Sequence, residues 1–295
     1  MQKLYQSAVF LACLVLGLAA AAQTPVPQVA DQPVQFTFVV FGDNRPNLPK
    51  GAQPAAFKTI LGEMNALDPA FAVNTGDCIF GSQNRARLEQ QYNEYLETTQ
   101  SLLKSKVYLA IGNHEILGSS ANHAFFEKQL GALHYSFDRG DSHFIILDSE
   151  VVGETRRITG DQLEWLKEDL AKARAARHKF VFLHRPLYPV DGHMGDCLDR
   201  YPEDRNALHS LFVRNRITVV FAGHEHLFDS QVKNGVRYVI TGGGGAPLYP
   251  SLQGKGDYHH FVVVSVAGDK VEMKLVKPAL HGKPAEVIPV GGMAR

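Results

Sequence analysis

The sequence predicts an α/β fold, and three observations carry that expectation. Short β-branched and aromatic runs alternate with segments of helical period through most of the chain. From Gln231 onward the pattern changes to strands only, which points to a second sheet packed on the first. Acid, amide and imidazole residues fall directly after several of the strand-like runs. In α/β sheets that edge is where ligands collect.

The elements follow in order. Gln35–Phe41 is β-branched and aromatic and ends at Gly42, so it reads as a strand. Gln53–Leu67 carries Phe57, Ile60, Leu61 and Met64 at helical spacing. Ala70–Thr75 is a second strand, Asn84–Leu103 a helix, Val107–Ile111 a strand and Ala121–Leu130 a short helix. His143–Leu147 is a strand. Thr159 is placed to cap a helix to about Ala176, with Leu163, Leu166 and Leu170 facing inward. Phe180–Leu183 is a strand, Pro202 opens a helix to about Val213, and Ile217–Phe221 is a strand. Val236–Thr241, His260–Val266 and Val271–Val276 complete the set. The chain has 295 residues, enough for one domain with a sizeable core, expected from Val34 to the C-terminus.

The N-terminus has a different character. Lys3 precedes an uncharged apolar run, Ala8–Leu18, and then Ala20, Ala21 and Ala22. That is the layout of a secretory signal peptide, residues 1–22, with cleavage expected after Ala22. The run is short and Ala-rich for a membrane anchor, and Phe10-Leu11-Ala12 before Cys13 is a poor lipidation box. Gln23–Pro33 reads as a linker. A periplasmic or secreted protein is the expectation, with no membrane span after cleavage. Export permits disulfides. Cys78 and Cys197 remain after cleavage, and either a pair or two buried thiols fits the sequence. Lys and Arg together number 30, as do Asp and Glu, and no basic stripe appears. This gives no sign of a nucleic-acid partner.

Five segments carry the chemistry: Gly42-Asp43-Asn44-Arg45, Gly76-Asp77, Gly112-Asn113-His114-Glu115, His184, and Gly223-His224-Glu225-His226. Each follows a predicted strand. Carboxylate, amide oxygen and neutral imidazole all suit hard or borderline divalent ions, with no thiolate cluster needed. In an extended Gly-His-x-His the two imidazoles point the same way, so His224 and His226 can face neighbouring metals. A lone Gly-Asp after a strand is more often a turn, and a lone His is more often structural. His123, His134, His143, His178, His209, His259, His260 and His281 are left in that class. The combination, in this order, is specific.

That combination resembles the calcineurin-like metallophosphoesterase superfamily, whose signature runs Asp-x-His, Gly-Asp, Gly-Asn-His-Asp/Glu, His, Gly-His-x-His. Tyr238–Gly245 resembles the glycine-rich strand end of the purple-acid-phosphatase-like branch. The resemblance implies a four-layer α/β/β/α sandwich with a dimetal site at the carboxyl ends of the strands. It implies two divalent or trivalent ions (Mn, Fe, Zn or Co). Asp43, Asp77 and His226 would hold the first. Asp77 would bridge to the second, completed by Asn113, His184 and His224. His114 would stand near the leaving-group oxygen. Two positions depart from the pattern. Arg45 replaces the first-motif His and cannot bind a metal. Phe80 stands where purple acid phosphatases carry a ligand Tyr.

The expected reaction is in-line attack by a metal-bound hydroxide on a phosphate ester, small or polymeric, with His114 as general acid and Arg45 on a phosphate oxygen. A monoester is expected, because a guanidinium favours the dianion. The alternatives are a phosphodiesterase of the same fold and a non-catalytic binding protein with a decayed first metal site. For Arg45 the alternative role is an Arg–Asp ion pair that only orders its loop.

Overall fold

Two six-stranded sheets lie face to face in the computed structural model, which describes residues 35–249 and 256–294. The expected signal peptide and linker lie outside the described residues. Among the described residues no helix is long and apolar enough to cross a membrane.

The first sheet takes β1 (Gln35–Phe41), β2 (Ala72–Asn74), β3 (Val107–Leu109), β10 (Phe261–Ala267), β11 (Lys270–Lys277) and β12 (Glu286–Ala294), in the order β12-β11-β10-β1-β2-β3. The second takes β4 (Tyr135–Arg139), β5 (Ser142–Ile146), β6 (His178–Phe182), β7 (Val219–Ala222), β8 (Phe228–Lys233) and β9 (Val236–Thr241), in the order β4-β5-β6-β7-β9-β8. Of the late strands, Val236–Thr241 joins the second sheet as expected, but Phe261–Ala267 and Lys270–Lys277 do not. β10 pairs antiparallel with β1, Gln35 opposite Ala267, so the chain's end extends the first sheet. The second sheet comes from the middle of the chain.

Alternation along the strands explains the layering. Phe36, Phe38 and Val40 of β1 point between the sheets, where they meet Phe144, Phe180, Phe182 and Phe221. Val39 and Phe41 point the other way, against helices α1 (Ala55–Ala66) and α2 (Arg85–Leu102). On the far side, Ile145, Val181 and Val220 meet α5 (Gly160–Lys172) and α6 (Pro202–Arg214). The result is α/β/β/α. The ring of Phe38 stacks on Phe71 at 5.1 Å and meets the edge of Phe144 at 5.3 Å. Burying each such ring is worth about 1.5–3 kcal/mol.

The remaining helices are α3 (Asn113–Ile116) and α4 (Ser120–Leu130). Thr159 does stand at the start of α5, but its hydroxyl bonds Glu154 and not the helix N–H groups, so it is no side-chain cap. Cys78 and Cys197 are both free and buried, which settles them as two thiols and not a disulfide.

The strand directions position the site. β1, β2 and β3 run parallel, as do β5, β6, β7 and β9. Their carboxyl ends therefore share an edge within each sheet. Loop-to-loop hydrogen bonds join the two edges: Ala246 N–H donates to Asp43 O at 2.8 Å, and Gly244 N–H to Gly42 O at 2.8 Å.

Candidate metal centre

The residues expected to act together converge. Asp43 follows β1, Asp77 follows β2, Asn113 and His114 open α3 after β3, His184 follows β6, and His224 and His226 follow β7. A cavity of about 340 Å³ is lined by Arg45, Asp77, Asn113, His114, His224 and His226, joined by His193 and Tyr249.

Close approach of the loops requires missing side chains at two glycines. Gly76 has φ +104°, and a Cβ there would lie 2.9 Å from both Gly112 N and His184 Nδ1. A Cβ on Gly223 would lie 2.3 Å from Asp43 Oδ2. Three site residues also hold left-handed backbone, Asp43 at φ 57°, Asp77 at 57° and His224 at 69°. Each such residue costs on the order of 1–3 kcal/mol, which the surrounding packing offsets.

The donors form two groups that meet at Asp77. Oxygen and nitrogen atoms of Asp43, Asp77 and His226 lie within 4.8 Å of one another, with His226 Nε2 3.4 Å from Asp43 Oδ1. Asp77 Oδ1 is 3.4 Å from His184 Nε2. That same nitrogen is 3.0 Å from Asn113 Oδ1 and 3.2 Å from His224 Nδ1. The rings are oriented from behind. His184 Nδ1 bonds Thr75 O at 3.0 Å, and His226 Nδ1 bonds Pro247 O at 2.5 Å. A carbonyl only accepts, so those Nδ1 atoms carry protons and the Nε2 lone pairs face the centre. This donor chemistry fits two cations of the hard or borderline class. The first group offers three side-chain donors and the second offers four.

Charge follows the geometry. Burial would raise the Asp77 carboxyl, but the imidazoles of His184 and His114 outweigh it and hold it below the usual carboxylate range. Burial lowers His184, yet Asp77 and Asp43 carry its pKa above the ordinary value. His226 is raised in the same way by Asp43. Burial leaves His224 well below its ordinary value.

Arg45 does not pair with Asp43. It forms an ion pair with Asp77 instead, Nε lying 3.9 Å from Oδ2 and too far for a hydrogen bond, while Nη1 donates to Pro46 O at 3.3 Å and Nε has no hydrogen-bond partner among the described residues. Its guanidinium carbon sits 5.8 Å from the Phe80 ring. His114 Nδ1 donates to Phe80 O at 2.6 Å, which leaves Nε2 on the Asp77 side at 3.9 Å from Oδ2. Phe80 thus contributes its carbonyl and a ring.

Sequence reasoning missed the supports behind these residues. Glu115 is buried and accepts four backbone N–H bonds, from Asp77 (2.9 Å), Cys78 (2.8 Å), Ile79 (3.3 Å) and Gly112 (2.8 Å). It ties the loop after β2 to the loop after β3. Burial and the charge of Asp77 push its carboxyl up to about 7, against N–H donors that favour the charged form. Glu225 does the same for the loop after β6, accepting from Val190 and Asp191 at 2.8 Å each. Arg185 and Asp196 stand behind His224. Both glutamates sit inside the motifs, so their position beside a ligand was the available signal. Nothing in the sequence marked Asp196.

Fold and site define a class, and the comparisons agree. The chain belongs to the calcineurin-like phosphoesterase family, whose profile matches residues 36–228. Among its relatives, bovine (Bos taurus) serine/threonine-protein phosphatase CPPED1 is 27% identical over 213 residues, 69% of this chain and 66% of the relative. Purple acid phosphatase 21 of Arabidopsis thaliana is 31% identical over 159 residues, 45% of this chain and 35% of the relative. The chain therefore spans less than two thirds of either relative. A purple acid phosphatase from yellow lupin (Lupinus luteus) seeds shares the fold, with a TM-score of 0.69 and 18% identity over 90% of this chain and 54% of that one.

Proposed function

We propose that this chain is a two-metal hydrolase of phosphate esters and that it prefers monoesters. Phosphatase relatives support the metal-dependent hydrolysis. The preference rests on one observation: the Arg45 guanidinium, which makes no hydrogen bond to a carboxylate among the described residues, lines the same cavity as Asp77, Asn113, His224 and His226. Asp43, Asp77 and His226 would hold one cation, and Asp77, Asn113, His184 and His224 the other. Two such ions would lower the pKa of a bound water and neutralise charge on the phosphoryl oxygens.

The chain's own residues do the rest. Arg45 grips non-esterified phosphate oxygens, and a monoester presents more of them and more negative charge than a diester. His114 holds its ring through Nδ1–H to Phe80 O, so Nε2 is free to deliver a proton to the leaving oxygen.

The test compares 4-nitrophenyl phosphate with bis(4-nitrophenyl) phosphate, using protein loaded with Mn, Zn, Fe or Co. Wild type should favour the monoester, and chelation should abolish turnover. Arg45→Ala should reduce monoester kcat/KM by about 10–100-fold, the loss of one charged clamp of about 1.5–3 kcal/mol, with a smaller loss for the diester. Arg45→His should move the preference toward the diester. Equal losses on both substrates would leave Arg45 as a loop-ordering residue. Turnover in demetallated protein would remove the two-metal mechanism.

A further inference from the structure

The three expected metal-facing imidazoles are not oriented alike. His184 and His226 each anchor Nδ1–H on a backbone carbonyl and turn Nε2 to the centre. His224 is reversed. Its Nδ1 meets His184 Nε2 at 3.2 Å, so Nδ1 faces the centre and Nε2 faces outward. Two side chains lie behind that Nε2: Asp196 Oδ2 at 3.3 Å and Arg185 Nη1 at 2.9 Å. A guanidinium has donors and no acceptor, so Arg185 can only donate to an Nε2 lone pair; once Nδ1 gives its own lone pair to a cation the ring proton sits on Nε2, and of the two neighbours only Asp196 can receive it.

Asp196 is itself held in place. Arg156 Nε donates to its Oδ1 at 2.7 Å, and Arg185 Nη1 donates to its Oδ2 at 2.9 Å. Arg185 is fixed in turn by Glu150, whose Oε1 accepts from Nε at 2.6 Å. The whole chain of contacts runs from Glu150 behind β5 to the ring of His224.

We propose that Asp196, held by Arg156 and Arg185, is a positioning residue for His224: it accepts the Nε2–H and turns the ring so that Nδ1 is given to the second metal. The inference rests on the two-metal reading. It puts the orientation of one ligand on a side chain from the loop between β6 and α6, while the other two rings are anchored on the main chain. His193, from the same loop, stacks against His224 with ring centroids 4.1 Å apart. Donor atoms of His193, Asp196 and His224 lie within 4.8 Å of one another and resemble a third metal group. Arg185 argues against a third ion there, since its guanidinium already touches both His224 Nε2 and Asp196 Oδ2.

The experiment uses the full chain loaded with zinc, with wild type, Asp196→Ala and Asp196→Asn measured side by side. Zinc stoichiometry and affinity are read by competition with a chelating dye. The protonated ring nitrogen of His224 is read by long-range proton–nitrogen NMR, its signal assigned through His224→Gln. Wild type should bind two zinc ions and show His224 protonated at Nε2. Asp196→Ala should weaken one of the two sites by about 10–100-fold, the usual cost of losing a partner behind a ligand. It should lower kcat with little change in KM. Asp196→Asn keeps an accepting oxygen and should recover most of the affinity. His224 protonated at Nδ1 in the zinc-loaded wild type would overturn the inference, as would a third zinc equivalent or unchanged affinity in Asp196→Ala. Equal weakening of both sites, with Asp196→Asn no better than Asp196→Ala, would reduce Asp196 to a fold contact. A wild type that binds no zinc would remove the two-metal reading itself, and the inference with it.

Discussion

The two halves of the proposed metal centre are supported unequally. The half built from Asp43, Asp77 and His226 has three side-chain donors and a guanidinium beside it. The half built from Asp77, Asn113, His184 and His224 has four donors; imidazoles in both halves have partners behind them. In the proposed reading, position 45 carries a guanidinium for phosphate where the family pattern has a metal-binding His. The first half should therefore bind its ion more weakly, while Asp77 should matter equally to both.

Asp77→Asn tests that shared role and carries the largest expected effect. The amide loses the charge that both groups face and can offer only one oxygen. Both metal sites should weaken together, and kcat should fall by on the order of 10³-fold, the equivalent of several kcal/mol of lost electrostatic stabilisation. Metal stoichiometry measured beside kcat decides the matter. Loss of only one ion would show that Asp77 serves a single half.

A smaller effect belongs to Glu115, which ties the backbone of Asp77 to that of Gly112, the residue before Asn113. Gln at this position keeps the shape but puts an NH₂ group against backbone donors. Glu115→Gln should destabilise the fold by roughly 2–3 kcal/mol in urea unfolding, through N–H groups left without an anionic acceptor. If stability is unchanged while metal binding falls, Glu115 acts on the site electrostatically and not as a template for the loops.

Much of this arrangement was readable in the sequence, and the exceptions share a cause. Phe57, Ile60, Leu61 and Met64 were expected on one helical face, and all four are buried. The order of the motif residues and their place directly after strands also match, because both depend on short stretches of chain. Pairing between distant strands does not. Val236–Thr241 lies in the second sheet as expected, but nothing local in Phe261–Ala267 says that it lies beside Gln35–Phe41, and it and Lys270–Lys277 fall in the first sheet instead. β4, β8 and β12 went unread because they are edge strands, only partly covered and mixed in polarity. Glu115 and Asp196 look like loop acids in sequence. Their roles come from backbone donors and arginines brought to them by the fold.

The smallest expected effect lies away from the metal centre and tests whether its environment is separable from the scaffold. His143, on β5, is nearly buried and donates to two carboxylates. Nδ1 meets Asp138 Oδ1 at 2.6 Å and Nε2 meets Asp169 Oδ2 at 2.8 Å. Asp138 is its cross-strand neighbour on β4 and Asp169 belongs to α5, so the ring ties an edge strand to an outer helix. Both bonds need a proton on the ring. Burial would lower its pKa, but the hydrogen bonds to Asp169 and Asp138 carry it above the ordinary 6.5. A folded-state pKa above the unfolded one means that the stabilisation is whole below pH 6.5 and is lost as pH rises through the folded value. Asp169 shifts the other way, so its share persists above the ordinary 3.8 and is lost on acidification. His143→Gln should therefore cost roughly 1–2 kcal/mol near pH 6, the scale of a charged hydrogen bond, and progressively less toward pH 9. The measurement is Tm across that range for both proteins. A constant gap between the two curves would mean that the ring contributes by packing alone, with its charge irrelevant to the fold.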